Sequence, residues 1–220
     1  ESFLERLEKH PQLLQGPLQV AVIGPTQAGK STVINWLSGL DLAEVSPIAG
    51  YTVHPQGFDF SRAPGLDTSI SDFFSGYRKV APQNLDHSTL DSFSLIQVEA
   101  PDAALKGLSL WDTPDFDSVQ SDEYQDAVLK VAALADLVVL VLSKDKYADQ
   151  TVWDFMALIE PLAQPTLVVI NKTDPESEPI LRRSLASKWA AFRADPPPPI
   201  LTVPYRREPT AHDIQTIHGD

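Results

Sequence analysis

Residues 24–31 read Gly-Pro-Thr-Gln-Ala-Gly-Lys-Ser and fit the pattern G-x-x-x-x-G-K-[ST]. The β-branched run at 18–23 before them predicts a buried strand, and the apolar spacing after them predicts a helix from near residue 30 to residue 38. A glycine-rich turn between a strand and a helix lets consecutive backbone N–H groups and the helix N-terminus face a phosphate. This stretch therefore predicts an α/β fold with a phosphate-binding loop.

The side chains of the loop add two specific expectations. Lys30 is expected to reach the β- and γ-phosphates of a nucleotide, and Ser31 is expected to offer its hydroxyl to Mg²⁺. The residues predicted to contact the nucleotide in this region are Gly24, Gln27, Ala28, Gly29, Lys30, Ser31 and Thr32.

A second candidate element is Asp112, at the end of the apolar run 108–112. A carboxylate at a strand end can hold Mg²⁺ through water, opposite Ser31. Because Asp-Thr-Pro is also a good turn sequence, this element gains weight only together with residues 24–31.

Residues 171–174, Asn-Lys-Thr-Asp, follow the apolar run 167–170. Asp174 can accept hydrogen bonds from the ring N–H and the exocyclic amine of guanine, which adenine cannot donate in that pattern, so a buried carboxylate here would disfavour adenine. Asn171 is expected to brace the phosphate loop, and the aliphatic stem of Lys172 is expected to cover one face of the base. Taken alone, this segment is better interpreted as a solvated turn at a strand end, and it indicates a base site only in this order and spacing with the other two elements.

The rest of the chain alternates strands and helices, which is typical of a mostly parallel sheet covered by helices on both faces. Further strands are predicted at 56–60, 93–99, 108–112, 137–142, 166–170 and 200–203. Further helices are predicted near 122–134, 151–159, 179–192 and 211–217.

Two features interrupt this alternation. The strands 93–99 and 108–112 are separated by a short turn and are expected to form a hairpin beside the first strand. Residues 61–91 are polar and dotted with Pro and Gly, with one weakly helical patch at 70–77. They are interpreted as an insertion or mobile loop.

Composition limits the organisation and the partners. The 220 residues suit one domain over 17–220, preceded by a short helix within 1–16 that packs on it. A net charge of −13 repels phosphate backbones, so nucleic acid is not expected as a partner. The sequence has no cysteine, which is compatible with the cytoplasm, and no apolar run of the roughly 20 residues that span a bilayer.

Together, the three elements resemble the GTPase superclass that contains Ras-like, Era-like and dynamin-like proteins. The resemblance spans most of the chain and implies a three-layer P-loop domain with a mostly parallel, six-stranded sheet. It implies GTP or GDP and Mg²⁺ as ligands, and two segments, 41–54 and 113–121, that sense the γ-phosphate. The threonine that ligates Mg²⁺ in such proteins is best matched by Thr52, with Thr68 as a competitor.

The second sensing segment departs from the family pattern. Asp115 stands where the family has glycine, and Phe116 stands where Ras-like proteins carry the glutamine that positions water. A carboxylate near the γ-phosphate would be repelled, and an apolar ring cannot orient water. Weak or partner-dependent turnover is therefore expected.

The residues assigned to catalysis are Lys30, Thr52 and Gln27. Gln27 occupies the position of the asparagine of potassium-activated Era-like GTPases, so K⁺ is a further candidate ligand, although Gln27 can equally well only hydrogen-bond the loop. His54 and Asp117 are weaker candidates. A final family element, a backbone turn over guanine, would fall near Thr202–Tyr205, where Pro204 replaces a small residue.

Three functions fit this sequence. The first is a regulatory GTPase that hydrolyses GTP to GDP and phosphate as a conformational switch and acts on a protein effector or regulator. The second is a dynamin-like GTPase domain of a longer protein, which would form GTP-dependent homodimers and associate with membranes through regions outside this chain. The third is a pseudo-GTPase, an interaction module that binds nucleotide without turning it over.

Overall fold

The computed structural model describes residue 13 and residues 15–45, 52–86, 89–117 and 121–204, with residues 121–124 described by their backbone alone. Most of the segment 1–16, in which a helix was predicted, and all of the helix predicted at 211–217 lie outside these ranges. The strands are β1 (Leu18–Ile23), β2 (Gln56–Asp59), β3 (Arg78–Lys79), β4 (Ser92–Gln97), β5 (Leu108–Asp112), β6 (Leu137–Ser143), β7 (Thr166–Thr173) and β8 (Ile200–Pro204). The α-helices are α1 (Lys30–Ser38), α2 (Leu66–Phe73), α3 (Ser121–Leu134), α4 (Gln150–Ile159) and α5 (Glu178–Phe192), and 3-10 turns lie at Pro82–Asn84 and Glu160–Leu162.

All strands join one sheet in the order β3-β4-β2-β5-β1-β6-β7-β8. Among the strands that the structure describes, only the β2–β5 pair is antiparallel, so the predicted mostly parallel sheet is confirmed. The expected number of strands was wrong, because the described part of the chain forms a sheet of eight strands rather than six. Of the two strands beyond β2 at one edge, β4 corresponds to the strand predicted at 93–99, whereas β3 was not predicted.

The hairpin expected between β4 and β5 is also absent from the described structure. β2 lies between them, parallel to β4 and antiparallel to β5. Gly57 of β2 explains the fit, because a β-carbon there would lie 2.8 Å from both Leu95 of β4 and the ring of Trp111 of β5. The large side chains of the two neighbouring strands fill the space that Gly57 leaves, so β2 fits between them.

The segment 61–91 contains regular structure and packs on the sheet. Its helix, α2, begins four residues before the predicted patch at 70–77. Phe74, which follows α2 and is fully buried, stacks on Phe93 of β4 and Trp111 of β5 at centroid distances of 4.6 and 5.4 Å. This aromatic stack attaches the segment to the domain.

Helices cover both faces of the sheet, as predicted. α1 packs on one face through Val33 and Ile34. The other four helices belong to the core on the opposite face, where Trp153 of α4 meets Trp189 of α5 edge to face. Within the described residues, no helix combines the length and the apolar character needed to cross a membrane.

Truncation of the aromatic stack should destabilise the whole domain. We expect Phe74→Ala to lower the free energy of unfolding by about 3–5 kcal/mol, because it leaves a cavity between Phe93 and Trp111. Urea denaturation at 25 °C measures this loss, and Phe74→Leu should lose less. A loss under about 1 kcal/mol for Phe74→Ala would show that residues 61–91 are not part of the cooperative core.

Candidate functional site

The candidate site lies at the edge of the sheet where β1, β5, β6 and β7 end. These strands are parallel neighbours, so their carboxyl ends meet there. The chain leaves β1 towards α1 and β2 on one side, whereas β6 lies on the other side of β1. Such a reversal of direction opens a crevice at the strand ends, where ligands bind in open α/β sheets.

The loop between β1 and α1 requires both of its glycines. A β-carbon on Gly24 would lie 2.3 Å from the carbonyl oxygen of Val141, and one on Gly29 would lie 2.2 Å from the amide nitrogen of Asn171. Gly29 also has φ of 96°, which L-residues rarely adopt. The loop therefore packs directly on the ends of β6 and β7, in the curled form that exposes N–H groups to an anion.

Lys30 begins α1 and is only 5% exposed. Its ammonium group donates to the carbonyl oxygens of Gly24 and Pro25, at 3.1 and 3.4 Å. It also forms a buried ion pair with Asp115. The sequence predicted that Asp115 would repel a γ-phosphate. It did not predict that Asp115 pairs with Lys30 of the phosphate loop.

Asp112 and Ser31 face each other across the same crevice. The Ser31 hydroxyl donates to a carboxylate oxygen of Asp112 at 2.7 Å. Burial raises the pKa of the Asp112 carboxyl to about 6, against the opposing effects of Lys30 and of the Ser31 hydrogen bond. A buried carboxylate beside a hydroxyl supplies hard oxygen ligands, which fit Mg²⁺. Among the described residues, no three His, Cys, Asp or Glu side chains form an alternative metal cluster.

Thr52 and Thr68 lie in different environments. Thr52 is partly buried in the segment before β2, and within the described residues it forms no hydrogen bond to Ser31 or Asp112. Thr68 is exposed on α2. Residues 46–51 of the first sensing segment lie outside the described residues, so the Mg²⁺ role of Thr52 stays a prediction.

The end of β7 is tied to the phosphate loop by two side chains. The Asn171 amide donates to the carbonyl oxygen of Ala28 at 3.0 Å, and the Lys172 ammonium donates to that of Gln27 at 2.8 Å. Lys172 has φ of 59°, a left-handed conformation for its backbone. These contacts hold the segment 171–174 and the loop 24–31 in one fixed arrangement.

Asp174 lies in an open cavity of about 520 Å³ at the ends of β6, β7 and β8. The cavity is lined by Lys144, Asp145, Lys172, Thr173, Asp174, Pro175 and Pro204. The carboxylate was expected to be buried, but its side chain is 46% exposed. Hydrogen bonds from Ser177, aided by the nearby Lys144, hold its pKa below the usual value. One of its oxygens accepts the Ser177 N–H at 2.8 Å, which fixes the side chain at the start of α5.

The second sensing segment is docked by three consecutive residues. Asp115 pairs with Lys30, and Phe116 is buried against Phe155 of α4, with parallel rings 4.4 Å apart. Asp117 accepts hydrogen bonds from the backbone N–H and the hydroxyl of Thr26, at 2.6 and 2.7 Å. Residues 115–117 therefore lie against the phosphate loop and the core, with Phe116 facing the core instead of the crevice. Residues 118–120 of this segment lie outside the described residues.

Lys146 completes this contact and was missed by the sequence analysis. Its ammonium lies 3.2 Å from Asp117, and also 3.2 Å from Asp149. Although burial opposes it, the hydrogen bonds from Thr26 and Lys146 lower the pKa of the Asp117 carboxyl. The charged residues 144–146, directly after β6, could have indicated this contact, because the carboxyl ends of parallel strands meet at one edge of the sheet.

The remaining candidates surround the phosphate loop. Gln27 is exposed and has φ of 59°, while Ala28 is fully buried and Thr32 is partly buried on α1. His54 is buried, and its Nε2 lies 3.0 Å from the carbonyl oxygen of Asp86, within the segment that follows α2.

The raised pKa of Asp112 can be tested through the pH dependence of stability. Without divalent cations at pH 7.5, we expect Asp112→Asn to raise the free energy of unfolding by about 1–3 kcal/mol, because the folded site disfavours the charged carboxylate. A raised folded pKa means that wild-type stability falls as pH rises from about 4 through about 6. The gain should therefore vanish near pH 4.

Denaturant titrations at both pH values measure this difference. Asp72→Asn, at an exposed carboxylate of α2, is the matched control and should change stability little at either pH. Equal effects of Asp112→Asn at the two pH values would contradict the raised pKa.

Comparison with known proteins agrees with this geometry. Residues 19–172 match the family of 50S ribosome-binding GTPases. A comparison with curated protein sequences gives no significant match.

Solved structures share the fold at low identity. A chain from an oligomerised bacterial dynamin pair aligns with 97% of this chain and 35% of its own length, at 17% identity and a TM-score of 0.60. Era, in complex with MgGDPNP and a 16S ribosomal RNA segment, aligns over 92% of this chain and 56% of its own, at 16% identity and a TM-score of 0.57. Toc33 from Arabidopsis thaliana, with Mg²⁺ and GMPPNP, aligns over 96% and 80%, at 15% identity and a TM-score of 0.53.

This chain therefore spans about a third of the dynamin chain and about half of the Era chain. The family match covers more than half of the chain and includes the loop 24–31, Asp112 and Asn171. The resemblance seen in the sequence is thereby confirmed: the chain belongs to the family of 50S ribosome-binding GTPases.

Proposed function

We propose that this chain binds GTP with Mg²⁺ and hydrolyses it slowly to GDP and phosphate as a conformational switch. The observation that carries the proposal is the pair of hydrogen bonds from Asn171 to Ala28 and from Lys172 to Gln27. They join a segment suited to read guanine to a loop suited to hold phosphates.

Each part of the nucleotide has assigned residues. Backbone groups of Gly24 and of residues 27–32 hold the phosphates, with Lys30 as the cation at the β- and γ-phosphates. Ser31, Asp112 and Thr52 hold Mg²⁺, which when bound would neutralise charge on the phosphates. Asp174 accepts from the guanine edge, and Lys172 covers one face of the base.

Slow turnover follows from the docked second segment. Phe116 is packed on Phe155 and supplies no polar group to position water. Asp115 holds the ammonium group that a γ-phosphate needs, so binding of a triphosphate must separate Asp115 from Lys30. Displacement of 113–117 by nucleotide would then be the switching motion.

Catalysis requires another group or a partner. Asp117 lies beside Thr26 of the phosphate loop, which supports it as a candidate group to assist a water molecule. Gln27 remains a candidate contact for K⁺, with its exposure in the loop as the support. A protein regulator that displaces Asp115 would serve the same end.

Loss of the loop lysine should abolish hydrolysis. We expect Lys30→Ala to slow phosphate release in a single-turnover assay by about 100-fold or more, because the transition-state charge loses its cation. Lys106→Ala, at an exposed lysine before β5, is the control and should keep the wild-type rate. Equal release by wild type and Lys30→Ala would remove the enzyme assignment.

Loss of the competing carboxylate should improve binding of triphosphate. We expect Asp115→Asn to tighten the affinity for Mg²⁺-GTP by about 10-fold, because Lys30 no longer has to leave an anionic partner. Calorimetric titration measures the change, with Asp91→Asn at an exposed ion pair as the matched charge control. An unchanged or weaker affinity would show that Asp115 does not compete with phosphate.

A second candidate is the pseudo-GTPase, which the Lys30–Asp115 pair and the buried Phe116 favour. Such a protein would bind guanine nucleotide and act as an interaction module. Phosphate release assays in sodium and in potassium separate the two: no release in either, from protein that binds GTP, would support it.

A role within a longer protein is the third candidate, since the bacterial dynamin that shares this fold is much longer than this chain. GTP-dependent homodimers and membrane association of the full-length protein would support it. Era binds a ribosomal RNA segment in its complex, but we do not propose RNA as a partner of this chain, because its net charge of −13 opposes the binding of nucleic acid.

A further inference from the structure

One lysine in the cavity of Asp174 has no role in the proposed nucleotide site. Lys144 follows the last residue of β6, and its ammonium lies 3.6 Å from a carboxylate oxygen of Asp174. Both side chains are 46% exposed to the cavity and the solvent. The ammonium therefore stands next to the group assigned to the guanine edge.

Other side-chain donors that line this cavity are already committed. The Lys172 ammonium donates to the carbonyl oxygen of Gln27, and the Thr173 hydroxyl donates to that of Val203. Pro175 and Pro204 have no backbone N–H to offer. Among the described lining side chains, Lys144 is thus the donor that points to the Asp174 side of the cavity.

Recognition of O6 of guanine needs a hydrogen-bond donor next to Asp174. Its N1–H and 2-amino group donate to a carboxylate, whereas its O6, next to N1, accepts. An ammonium group has three N–H bonds, so it can donate to a carboxylate and to a neighbouring carbonyl oxygen at once. Adenine carries an amine at position 6, which would face the ammonium donor to donor.

We propose that Lys144 is a specificity-determining residue of the base site, which donates to O6 of guanine while Asp174 accepts from N1–H and the amine. The inference rests on the proposed function and adds the recognition of O6 to it. The half-exposed pair with Asp174 contributes little to stability, so substitution of Lys144 leaves the fold intact.

The test compares three diphosphates, which cannot be hydrolysed at a γ-phosphate. GDP has all three edge groups, IDP keeps O6 but lacks the 2-amino group, and 6-thio-GDP keeps both donors but replaces O6 by sulfur, a weak acceptor. Binding to wild type and Lys144→Met is measured by calorimetry with Mg²⁺. Lys144→Arg keeps a donor, and Lys106→Met is the matched control at an exposed lysine outside the cavity.

We expect Lys144→Met to weaken GDP and IDP by the same factor, about 10-fold, and 6-thio-GDP by no more than about 3-fold. The affinity of Lys144→Arg for GDP should stay within about 3-fold of wild type. The affinity of the control Lys106→Met for GDP should equal that of wild type. Equal losses of Lys144→Met for GDP and 6-thio-GDP, or no loss for either, would overturn the assignment of O6.

Failure of the proposed function would look different. If wild-type protein bound none of the three diphosphates, the guanine site itself would be wrong, and the inference would fall with it. If wild type bound GDP but Lys144→Met bound it equally well, only the role of Lys144 would be lost.

Discussion

The amide group of Asn171 donates to the carbonyl oxygen of Ala28 and occupies the space that a β-carbon on Gly29 would need. This contact joins the end of β7 to the loop after β1 across the intervening strand β6. Gly24 makes the matching contact with the end of β6, so the loop rests on two strand ends. The curled loop, the start of α1 and the position of Lys30 all depend on this close packing.

The same packing buries the charge of Lys30, which is unfavourable unless an anion lies beside it. A buried ammonium at Lys30 needs an anion, and the chain supplies one from Asp115. Asp117 likewise accepts a hydrogen bond from the backbone N–H of Thr26. The second segment thus satisfies, with its own carboxylates, donors that are suited to phosphate oxygens. Under the proposed function, exchange of these carboxylates for phosphate would link the nucleotide to residues 113–117 without a glycine at position 115.

Much of the fold could be predicted because local signals were strong. β1, α1 and β5 were found at their observed bounds, since glycines end α1 and short apolar runs define the strands. The place of β2 between β4 and β5 could not be predicted. It depends on the packing of Leu95 and Trp111 around Gly57, which lie far apart in sequence.

The site shows the same division. Residues in a motif with fixed spacing, such as Lys30, Ser31 and Asn171, could be placed from the sequence alone. The contacts of Lys144, Lys146 and Thr26 could not be predicted, because their partners are set by the way the strand ends meet. Asp115 was visible as a departure from the family pattern, but its partner depended on the fold.

The central claim is that one site holds guanine and phosphates together, and calorimetric titration with Mg²⁺-GTP and Mg²⁺-ATP tests it most directly. GTP should bind with one-to-one stoichiometry, and ATP should bind about 100-fold more weakly or not at all, because Asp174 meets no matching donors on adenine. Equal affinity for the two, preference for ATP, or binding of neither would contradict it.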